Sequence, residues 1–439
     1  MIMKRFALAV VAILASCIYV SAQDVALFRE IVTELSSARY QGRGYARDGV
    51  IKAGNYIAGQ FREAGADEVT MQPFKIDINT FPGKMKMSVD GHRMAPGRDF
   101  VMREYSTGAR GTYSLYYVDT LGYDSARLFE DLAKPENAGC MVVCDFWFTY
   151  KHPQDFRRLE KDGGAPNAGV IYTWPTPLKF YKAYGEKVSD KPIIWVSPDF
   201  PADAAKVKVD IENEFLEGYE NSNVIARIDG ERNDSCYVFT AHYDHLGNLG
   251  RHLFYPGAND NASGTAAIIT LARHYAQNRP EFDIYFIAFS GEDANLRGST
   301  WFVDHPSMPL ECIKYLFNLD MVGDNNPVQY VEVSEPGTAG FEKMVAINDA
   351  LLMAAQQAPA GTSPAVDGSP HGIKALNRGE LAANSDHWPF AQHGVPCILF
   401  ENENGDAFPY YHTHEDNVRT MRFDTYEPLC RLIIEFIGR

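Results

Sequence analysis

Three neighbouring stretches of the sequence decide the fold: CYVFTAHYD (residues 236–244), GANDNASGTAAIITLARHYAQN (257–278) and DIYFIAFSGED (283–293). The first and third contain continuous apolar runs rich in β-branched and aromatic residues, which predict two buried strands. The middle stretch predicts an α-helix, because apolar side chains recur at i, i+3, i+4 and i+7: Ile268, Leu271, Ala272 and Tyr275. Strand, helix and strand in this order are typical of parallel pairing in an α/β sheet.

The rest of the chain extends this sheet on both sides. Apolar runs at 315–319 and 395–400 predict two more strands. Helical patterns precede them at about 25–38 and 50–64, and the last helical pattern buries Leu429, Leu432, Ile433 and Phe436. We therefore predict an α/β fold with a mostly parallel mixed sheet sandwiched by helices.

The middle of the chain differs from its two ends in its pattern of apolar and polar residues. Short apolar strands at 140–144, 170–172 and 193–196 alternate there with polar turns that contain Pro and Gly. We predict an inserted, smaller β-rich domain at 100–219, so that the main domain comprises 23–99 and 220–439. The stretch from Ala354 to Pro370 is rich in Ala, Pro, Gly and Ser, which predicts a long surface loop.

The charge balance excludes one class of function. The formal net charge is −16, and no run of Lys or Arg interrupts it. A nucleic-acid-binding protein needs a basic surface to neutralise phosphates, so we predict no nucleic-acid partner. The sequence gives no prediction of the oligomeric state.

The N-terminus predicts export from the cytosol. Lys4 and Arg5 precede an apolar run from Phe6 to Val20 and a small-residue cleavage site, as in a signal peptide comprising residues 1–22. The run is too short to predict a membrane span. An alternative is a lipoprotein box that ends at Cys17, which would then carry a lipid anchor. Soluble export, periplasmic or extracellular, is favoured because the residues after Cys17 stay apolar.

The remaining six cysteines show no zinc-finger spacing. Cys140 and Cys144 fall in one predicted strand, where they lie too far apart for a mutual disulfide. We predict mostly buried thiols, although an exported protein could oxidise one distant pair that the sequence does not identify.

Ionisable residues follow the carboxyl ends of the predicted strands, where α/β sheets place their functional sites. His242 and Asp244 end the first strand, Glu292 and Asp293 follow the second, and Asp320 follows the third. The turn before the central helix adds Asp260, and the segment after the last strand adds the sequence Tyr411-His412-Thr413-His414. We predict that these groups lie together at one edge of the sheet.

Four carboxylates buried together would repel one another and lose their hydration unless cations lie among them. These motifs contain no Lys or Arg within the strand ends, so divalent metal ions are the simplest source of positive charge. Mixed imidazole and carboxylate ligands suit zinc better than calcium or magnesium. The four positive charges of two zinc ions would balance the negative charges of Asp260, Asp293, Asp320 and one hydroxide. Pairs of zinc ions typically share one carboxylate ligand.

The motif set resembles peptidase family M28, a family of zinc peptidases that includes aminopeptidases, glutamate carboxypeptidases and glutaminyl cyclases. Each motif is weak evidence alone, but five motifs in the family's order are strong evidence, and the resemblance covers nearly the whole mature chain. The resemblance implies that one zinc is bound by His242 and Asp320, the other by Asp293 and His412, and that Asp260 bridges them.

The resemblance also implies catalytic roles. Glu292 would be the general base, which takes a proton from the attacking water and passes it to the leaving amine. Asp244 would orient the imidazole of His242, and the Tyr411 hydroxyl would stabilise the oxyanion. A cis peptide would follow Asp260.

Two further regions of the chain resemble parts of the family. The insert resembles the protease-associated domain of some members and would lie beside the mouth of the site. The sequence Ser385-Asp386-His387 resembles a family motif that lines the pocket.

The chain departs from the family pattern at three positions. Asp293 stands where Glu is usual, so the second metal site is expected to be weaker or displaced. Asn295 replaces a common Gly, and His414 replaces a common Pro and competes with His412 as the predicted ligand. We favour His412, because it directly follows Tyr411, and expect His245, His252 and His387 at the surface or the pocket wall.

The predicted function is an exported two-zinc aminopeptidase acting on peptides. The alternatives are a glutaminyl cyclase with one zinc ion, a carboxypeptidase or dipeptidase of the same fold and, least favoured, a non-catalytic ectodomain. A serine hydrolase is not supported, because the chain has no Gly-x-Ser-x-Gly motif, and it also lacks His-Glu-x-x-His. The sequence does not predict the preferred substrate side chain.

Overall fold

The computed structural model describes residues 22–181, 187–323, 330–335, 339–357, 372–402, 408–423 and 425–438. The predicted signal peptide up to residue 21, with Cys17, lies outside these residues. So do residues 358–371, most of the predicted surface loop. The start of that predicted loop, Ala354 to Gln357, belongs instead to the last turn of a helix.

Within the described residues the chain forms two eight-stranded sheets, a two-stranded ribbon and ten α-helices. The strands are β1 (Glu68–Thr80), β2 (Met85–Val89), β3 (His92–Met94), β4 (Phe100–Met102), β5 (Ala109–Tyr117), β6 (Met141–Asp145), β7 (Gly169–Thr173), β8 (Ile193–Val196), β9 (Lys206–Ile211), β10 (Glu214–Ile228), β11 (Arg232–His242), β12 (Asn248–Leu249), β13 (Leu253–Phe254), β14 (Phe282–Phe289), β15 (Ile313–Leu319), β16 (Tyr330–Ser334), β17 (Ala375–Gly379) and β18 (Cys397–Glu401).

The helices are α1 (Ala22–Leu35), α2 (Gly49–Ala64), α3 (Ser125–Leu132), α4 (Phe146–Thr149), α5 (Pro153–Leu159), α6 (Gly264–Gln277), α7 (Arg297–Asp304), α8 (Ala339–Gln357), α9 (His387–Gln392) and α10 (Tyr426–Ile437). In the described part of the chain, none of them is both long enough and apolar enough to cross a membrane.

The main sheet has the strand order β1-β10-β14-β11-β15-β18-β16-β17. Its four central strands, β14, β11, β15 and β18, are mutually parallel, and antiparallel neighbours flank them. His242 pairs with Phe289 and Leu319 pairs with Phe400, so the carboxyl ends of the four strands lie at one edge. The mostly parallel mixed sheet predicted from the sequence is confirmed.

Aromatic side chains tie the central strands together. Phe239 lies between Phe286 and Phe317, with ring centroids 5.3 and 5.2 Å away, and Phe400 follows at 6.3 Å from Phe317. All four rings are fully buried. Stacked rings in neighbouring strands fix the register, and this register aligns the ends that carry the site.

Helices cover the main sheet because each buries one apolar face. In α2 that face includes Val50, Ala53, Ile57 and Phe61. The helix ends at Gly65, whose φ of 98° favours glycine and whose N–H donates to the carbonyl of Arg62. Helices α1, α2 and α6 pack together in the same hydrophobic core.

The second sheet has the order β3-β2-β9-β5-β6-β7-β8-β4 and a hydrophobic core of its own. It begins at Met85 and ends at Ile211, so its strands start earlier than the predicted boundary at residue 100. β1 and β10 pair from Glu68 with Arg227 to Thr80 with Glu214, and they connect the two sheets as an antiparallel ribbon. The described insert is thus a small α/β layer on a two-stranded connection, and its assignment as a separate domain stays a prediction.

Candidate metal centre

Seven of the predicted residues line one cavity of about 200 Å³ at the carboxyl edge of the main sheet: His242, Asp260, Glu292, Asp293, Asp320, Tyr411 and His412. His242 ends β11, Glu292 and Asp293 follow β14, and Asp320 follows β15. Parallel pairing brings these strand ends together. Asp260 enters from the turn before α6, and Tyr411 and His412 complete the wall from the segment after β18.

The side chains form two groups that share Asp260. In the first group, His242 Nε2 lies 3.3 Å from Asp260 Oδ1 and 3.3 Å from Asp320 Oδ1. In the second, His412 Nε2 lies 3.3 Å from Asp260 Oδ2 and 3.3 Å from Asp293 Oδ1. The two oxygens of Asp260 therefore face different imidazoles.

These distances fit zinc. Zinc bonds of about 2.0–2.1 Å in a tetrahedral site place neighbouring ligand atoms about 3.3 Å apart. Asp260 Oδ2 and Asp320 Oδ1 are buried and have no hydrogen-bond partner in the described part of the chain. A buried carboxylate oxygen without a partner is costly, and a bound cation would remove that cost. The donor set thus fits two ions, each with one His, one terminal Asp and one oxygen of Asp260.

The imidazoles already influence the shared carboxylate. Burial alone would raise the pKa of Asp260, but His245, His242 and His412 outweigh burial and hold this pKa below its usual range. A carboxylate kept ionised in a buried position is suited to bind a cation.

The loop that carries Asp260 is fixed from two sides. The carboxylate of Asp416 accepts hydrogen bonds from the backbone N–H groups of Asn259 and Asp260, both at 2.9 Å. The Asp260–Asn261 peptide is cis, as predicted.

Arg43 holds the same loop from the other side, and its guanidinium is fully buried. It donates five hydrogen bonds at 2.6–3.1 Å, all to backbone carbonyls: those of Leu35, Tyr243, Pro256, Gly257 and Asp260. Burial lowers the pKa of Arg43 to about 10, opposed by nearby carboxylates, so the group stays charged at neutral pH. Arg43 thereby joins the end of β11 to the turn before α6.

Asp320 is fixed by a chain of polar side chains. Ser385 Oγ donates to Asp320 Oδ2 at 2.6 Å and accepts from Asn318 Nδ2 at 2.8 Å. Thr240 Oγ1 in turn donates to Asn318 Oδ1 at 2.6 Å. Ser385 opens the Ser385-Asp386-His387 sequence that was predicted to line the pocket, and it contacts a predicted ligand directly.

Asp244 contacts both the imidazole of His242 and the backbone of Glu292. Its backbone carbonyl is 3.2 Å from His242 Nδ1, closer than its carboxylate at 3.8 Å. The carboxylate instead accepts from the Tyr45 hydroxyl at 3.0 Å and from the Glu292 N–H at 3.1 Å. Asp244 therefore orients His242 mainly through its carbonyl and fixes the backbone of Glu292 through its carboxylate.

Glu292 and Tyr411 belong to the cavity wall. Glu292 Oε2 is 3.9 Å from His242 Nε2. Burial raises the pKa of Glu292 well above its usual range, His242 opposes the shift, and Asp320 and Asp293 add to it. The Tyr411 ring stacks on His412 at 3.9 Å, and burial raises the pKa of its phenol.

His245 was expected at the surface or the pocket wall, but it is fully buried. Its Nδ1 lies 3.1 Å from Asp293 Oδ2, a distance at which an Nδ1–H group donates a hydrogen bond. Asp293 thus presents one oxygen to His412 and the other to His245. The only signal in the sequence was that His245 directly follows Asp244.

His387 and His252, which were also expected at the surface or the pocket wall, differ in their exposure to solvent. His387 is fully buried with Nε2 3.0 Å from the carbonyl of Ala382, and burial lowers its pKa to about 4. His252 is exposed.

The departures from the family pattern have local explanations. Asn295 has a φ of 72°, and Asn is one of the non-Gly residues that best tolerate this left-handed region. His414 lies beside Tyr255, with ring centroids 6.5 Å apart, whereas His412 faces Asp260 and Asp293. The geometry therefore favours His412 over His414 as a ligand.

The fold and the donor set of the site fit a zinc metallopeptidase. Residues 223–437 match the family model of Peptidase family M28, and this part of the chain belongs to that family of zinc metallopeptidases. The chain is 33% identical to aminopeptidase YwaD of Bacillus subtilis over 192 residues, which cover 42% of this chain and 36% of that protein. It is 31% identical over 244 residues to a protein of Pyrenophora tritici-repentis described as "Probable zinc metalloprotease", covering 50% and 49% of the two chains. The chain thus spans half or less of the length of these curated relatives.

Solved structures support the fold over a larger share of the chain. BSAP, a zinc aminopeptidase from Bacillus subtilis, superposes with a TM-score of 0.69 at 20% identity and covers 94% of both chains. A peptidase M28 precursor from Shewanella amazonensis SB2B gives a TM-score of 0.63 at 16% identity and covers 94% of this chain and 96% of that one. At these identities the likeness establishes the fold, including the described insert.

Replacing Arg43 by Met should destabilise the protein by about 3–5 kcal/mol, because five buried carbonyls lose their donor. Urea unfolding followed by circular dichroism measures this difference. The matched control is Arg39→Met, since the Arg39 side chain is 71% exposed and its ion pair with Glu34 lies at the surface. Its cost should stay within about 0.5 kcal/mol. Equal stability of the two variants would contradict the role given to Arg43.

Proposed function

We propose that this chain is an exported aminopeptidase that hydrolyses the first peptide bond of its substrates with two bound zinc ions. The observation that carries the proposal is the position of Asp260, whose two oxygens lie 3.3 Å from different imidazoles. His242, Asp320 and Asp260 Oδ1 would hold one ion, and His412, Asp293 and Asp260 Oδ2 would hold the other. Bound zinc in such pairs supplies Lewis acidity and activates water at neutral pH.

Glu292 is the proposed general base. It is buried in the cavity wall, and its raised pKa suits a group that both accepts and releases a proton. Its carboxylate takes a proton from the attacking water and delivers it to the leaving amine. Asp244 supports this role because it holds the Glu292 backbone, and the Tyr411 hydroxyl is the proposed donor to the developing oxyanion.

The charge of the cavity favours an amino terminus over a carboxyl terminus in the substrate. The described residues that line the cavity include neither Lys nor Arg. They include five carboxylates, those of Asp260, Glu292, Asp293, Asp320 and Glu401. Glu401 belongs to neither proposed ligand set and accepts a hydrogen bond from Asn384 at 3.1 Å. The two proposed zinc ions would balance Asp260, Asp293, Asp320 and a bound hydroxide, so Glu292 and Glu401 remain to attract an ammonium group and to repel a free carboxylate. A relative bearing the name aminopeptidase agrees with this choice.

Replacing Glu292 by Gln should lower kcat by about 10²–10⁴-fold, because the amide keeps the shape of the side chain but cannot accept the proton. Release of a chromogenic amine from amino-acid amides measures the rate. The zinc content of the variant should equal that of the wild type, since Glu292 is in neither ligand set. Activity within a few-fold of wild type would argue against Glu292 as the base.

The purified protein should contain two zinc ions per chain by elemental analysis, and chelation should abolish hydrolysis until zinc is returned. Substrates with a free amino terminus should be cleaved, and their N-acetylated counterparts should not. Cleavage of the acetylated substrates alone would indicate a carboxypeptidase. One zinc with cyclisation of N-terminal glutamine would indicate a glutaminyl cyclase, and a metal-free, inert protein would refute the proposal.

Export is proposed from the sequence of residues 1–22. Mass spectrometry of the protein expressed in a secreting bacterial host should find a mature chain that begins at Gln23. A chain that begins at lipid-modified Cys17 would identify a lipoprotein instead, and an unprocessed Met1 would contradict export.

A further inference from the structure

The imidazole of His412 lacks the support that metal-binding histidines usually have. Such residues normally donate their second ring N–H to a carboxylate, a carbonyl or water, which fixes the ring orientation. His412 Nδ1 is buried and has no hydrogen-bond partner among the described residues. Ring contacts surround it instead: Tyr411 stacks on it at 3.9 Å, and Tyr181 meets it edge to face at 4.8 Å.

The backbone of His412 also needs support. Its φ of 56° lies in the left-handed region, which non-glycine residues adopt only where the surrounding structure enforces it. The Phe180 N–H donates a hydrogen bond to the His412 carbonyl at 3.0 Å. Phe180 is itself anchored, because it is buried with its ring 5.2 Å from that of Tyr255.

The ring contact from Tyr181 and the hydrogen bond from Phe180 both come from the insert. Residues 178–181, which we call the His412 clamp, lie in the connection between β7 and β8 of the second sheet. Lys179 adds a cation–π contact, with its Nζ 4.9 Å from the centre of the Tyr411 ring. Three consecutive clamp residues therefore touch Tyr411 or His412.

The clamp is anchored in the aromatic core of the insert. The Tyr181 ring lies 6.2 Å from that of Trp195, and Trp195 stacks on Trp174 at 4.4 Å with an interplanar angle of 9°. The clamp thus connects the interior of the second sheet to a side chain of the candidate metal centre in the main sheet.

We propose that Tyr181 is a positioning residue through which the insert holds the His412 ring and sets the affinity of the second zinc site. This inference rests on the proposed pair of zinc ions. The first site, at His242 and Asp320, has its own supports in Asp244 and Ser385 and does not depend on the clamp.

The experiment compares zinc binding by full-length wild-type protein and three variants, using elemental analysis after equilibration in graded zinc buffers. Tyr181→Ala removes the ring, and Tyr181→Phe retains it. The matched control is Tyr150→Ala, because Tyr150 lies in the same aromatic region, is 65% exposed and among the described rings contacts only Trp147, by stacking, and Phe146, edge to face.

We expect Tyr181→Ala to bind the first zinc like the wild type and the second about 10–100-fold more weakly, the usual effect of losing a residue that supports a metal ligand. Tyr181→Phe and Tyr150→Ala should bind both ions like the wild type. Unchanged binding of the first zinc by Tyr181→Ala would show that the loss is local, because a general loss of folding would weaken both sites.

Unchanged binding of both ions by Tyr181→Ala would overturn the inference and leave the proposed function intact. Loss of both ions in that variant, or equal weakening in Tyr181→Phe, would also overturn it, since neither result can come from a ring contact specific to His412. Wild-type protein that binds fewer than two zinc ions would refute the proposed pair itself.

Discussion

Repulsion between buried carboxylates is the constraint on which the rest of the site depends. Ligand atoms of His242, Asp260 and Asp293 lie within 4.8 Å of one another, and Asp320 and Glu292 line the same cavity. Two unit charges at that distance repel by about 3.5 kcal/mol at an effective dielectric constant of 20. Such a cluster is stable only if cations compensate it and if the backbone prevents the side chains from moving apart.

The backbone is kept in place by contacts with residues that lie far away in the sequence. Arg43 near the N-terminus and Asp416 near the C-terminus hold opposite sides of the loop that carries Asp260. One supplies hydrogen-bond donors to carbonyls and the other supplies acceptors to N–H groups, so neither competes with the side-chain oxygens of Asp260. The loop is therefore fixed while both of those oxygens stay available to a metal ion.

The sequence predicts the centre of the site better than its supports. Continuous apolar strands predict a parallel sheet, and the carboxyl ends of parallel strands share one edge. This pattern was enough to place together His242, Glu292, Asp293 and Asp320. Arg43 and His245 could not be placed in this way, since a buried Arg or His looks the same in a sequence as an exposed one. The predicted insert, 100–219, and the second sheet, from Met85 to Ile211, have different bounds, because β1 and β10 extend beyond the main sheet as a ribbon and no change in composition marks where the second sheet begins.

Asp293 shows how the supports compensate for a local departure. An aspartate reaches about 1.5 Å less far than the usual glutamate, because it has one methylene fewer. Its second oxygen is 3.1 Å from His245, which leaves the first oxygen 3.3 Å from His412 Nε2, the same separation that the other proposed ligand pairs show. The expected weakening of the second site thus depends on two residues outside the ligand set: His245 orients the short carboxylate, and Tyr181 orients the imidazole opposite it. His245 follows a strand of the main sheet, whereas Tyr181 lies in the insert. The proposed second zinc site would therefore join the two sheets, and the proposed first site would be built only from segments that adjoin the main sheet.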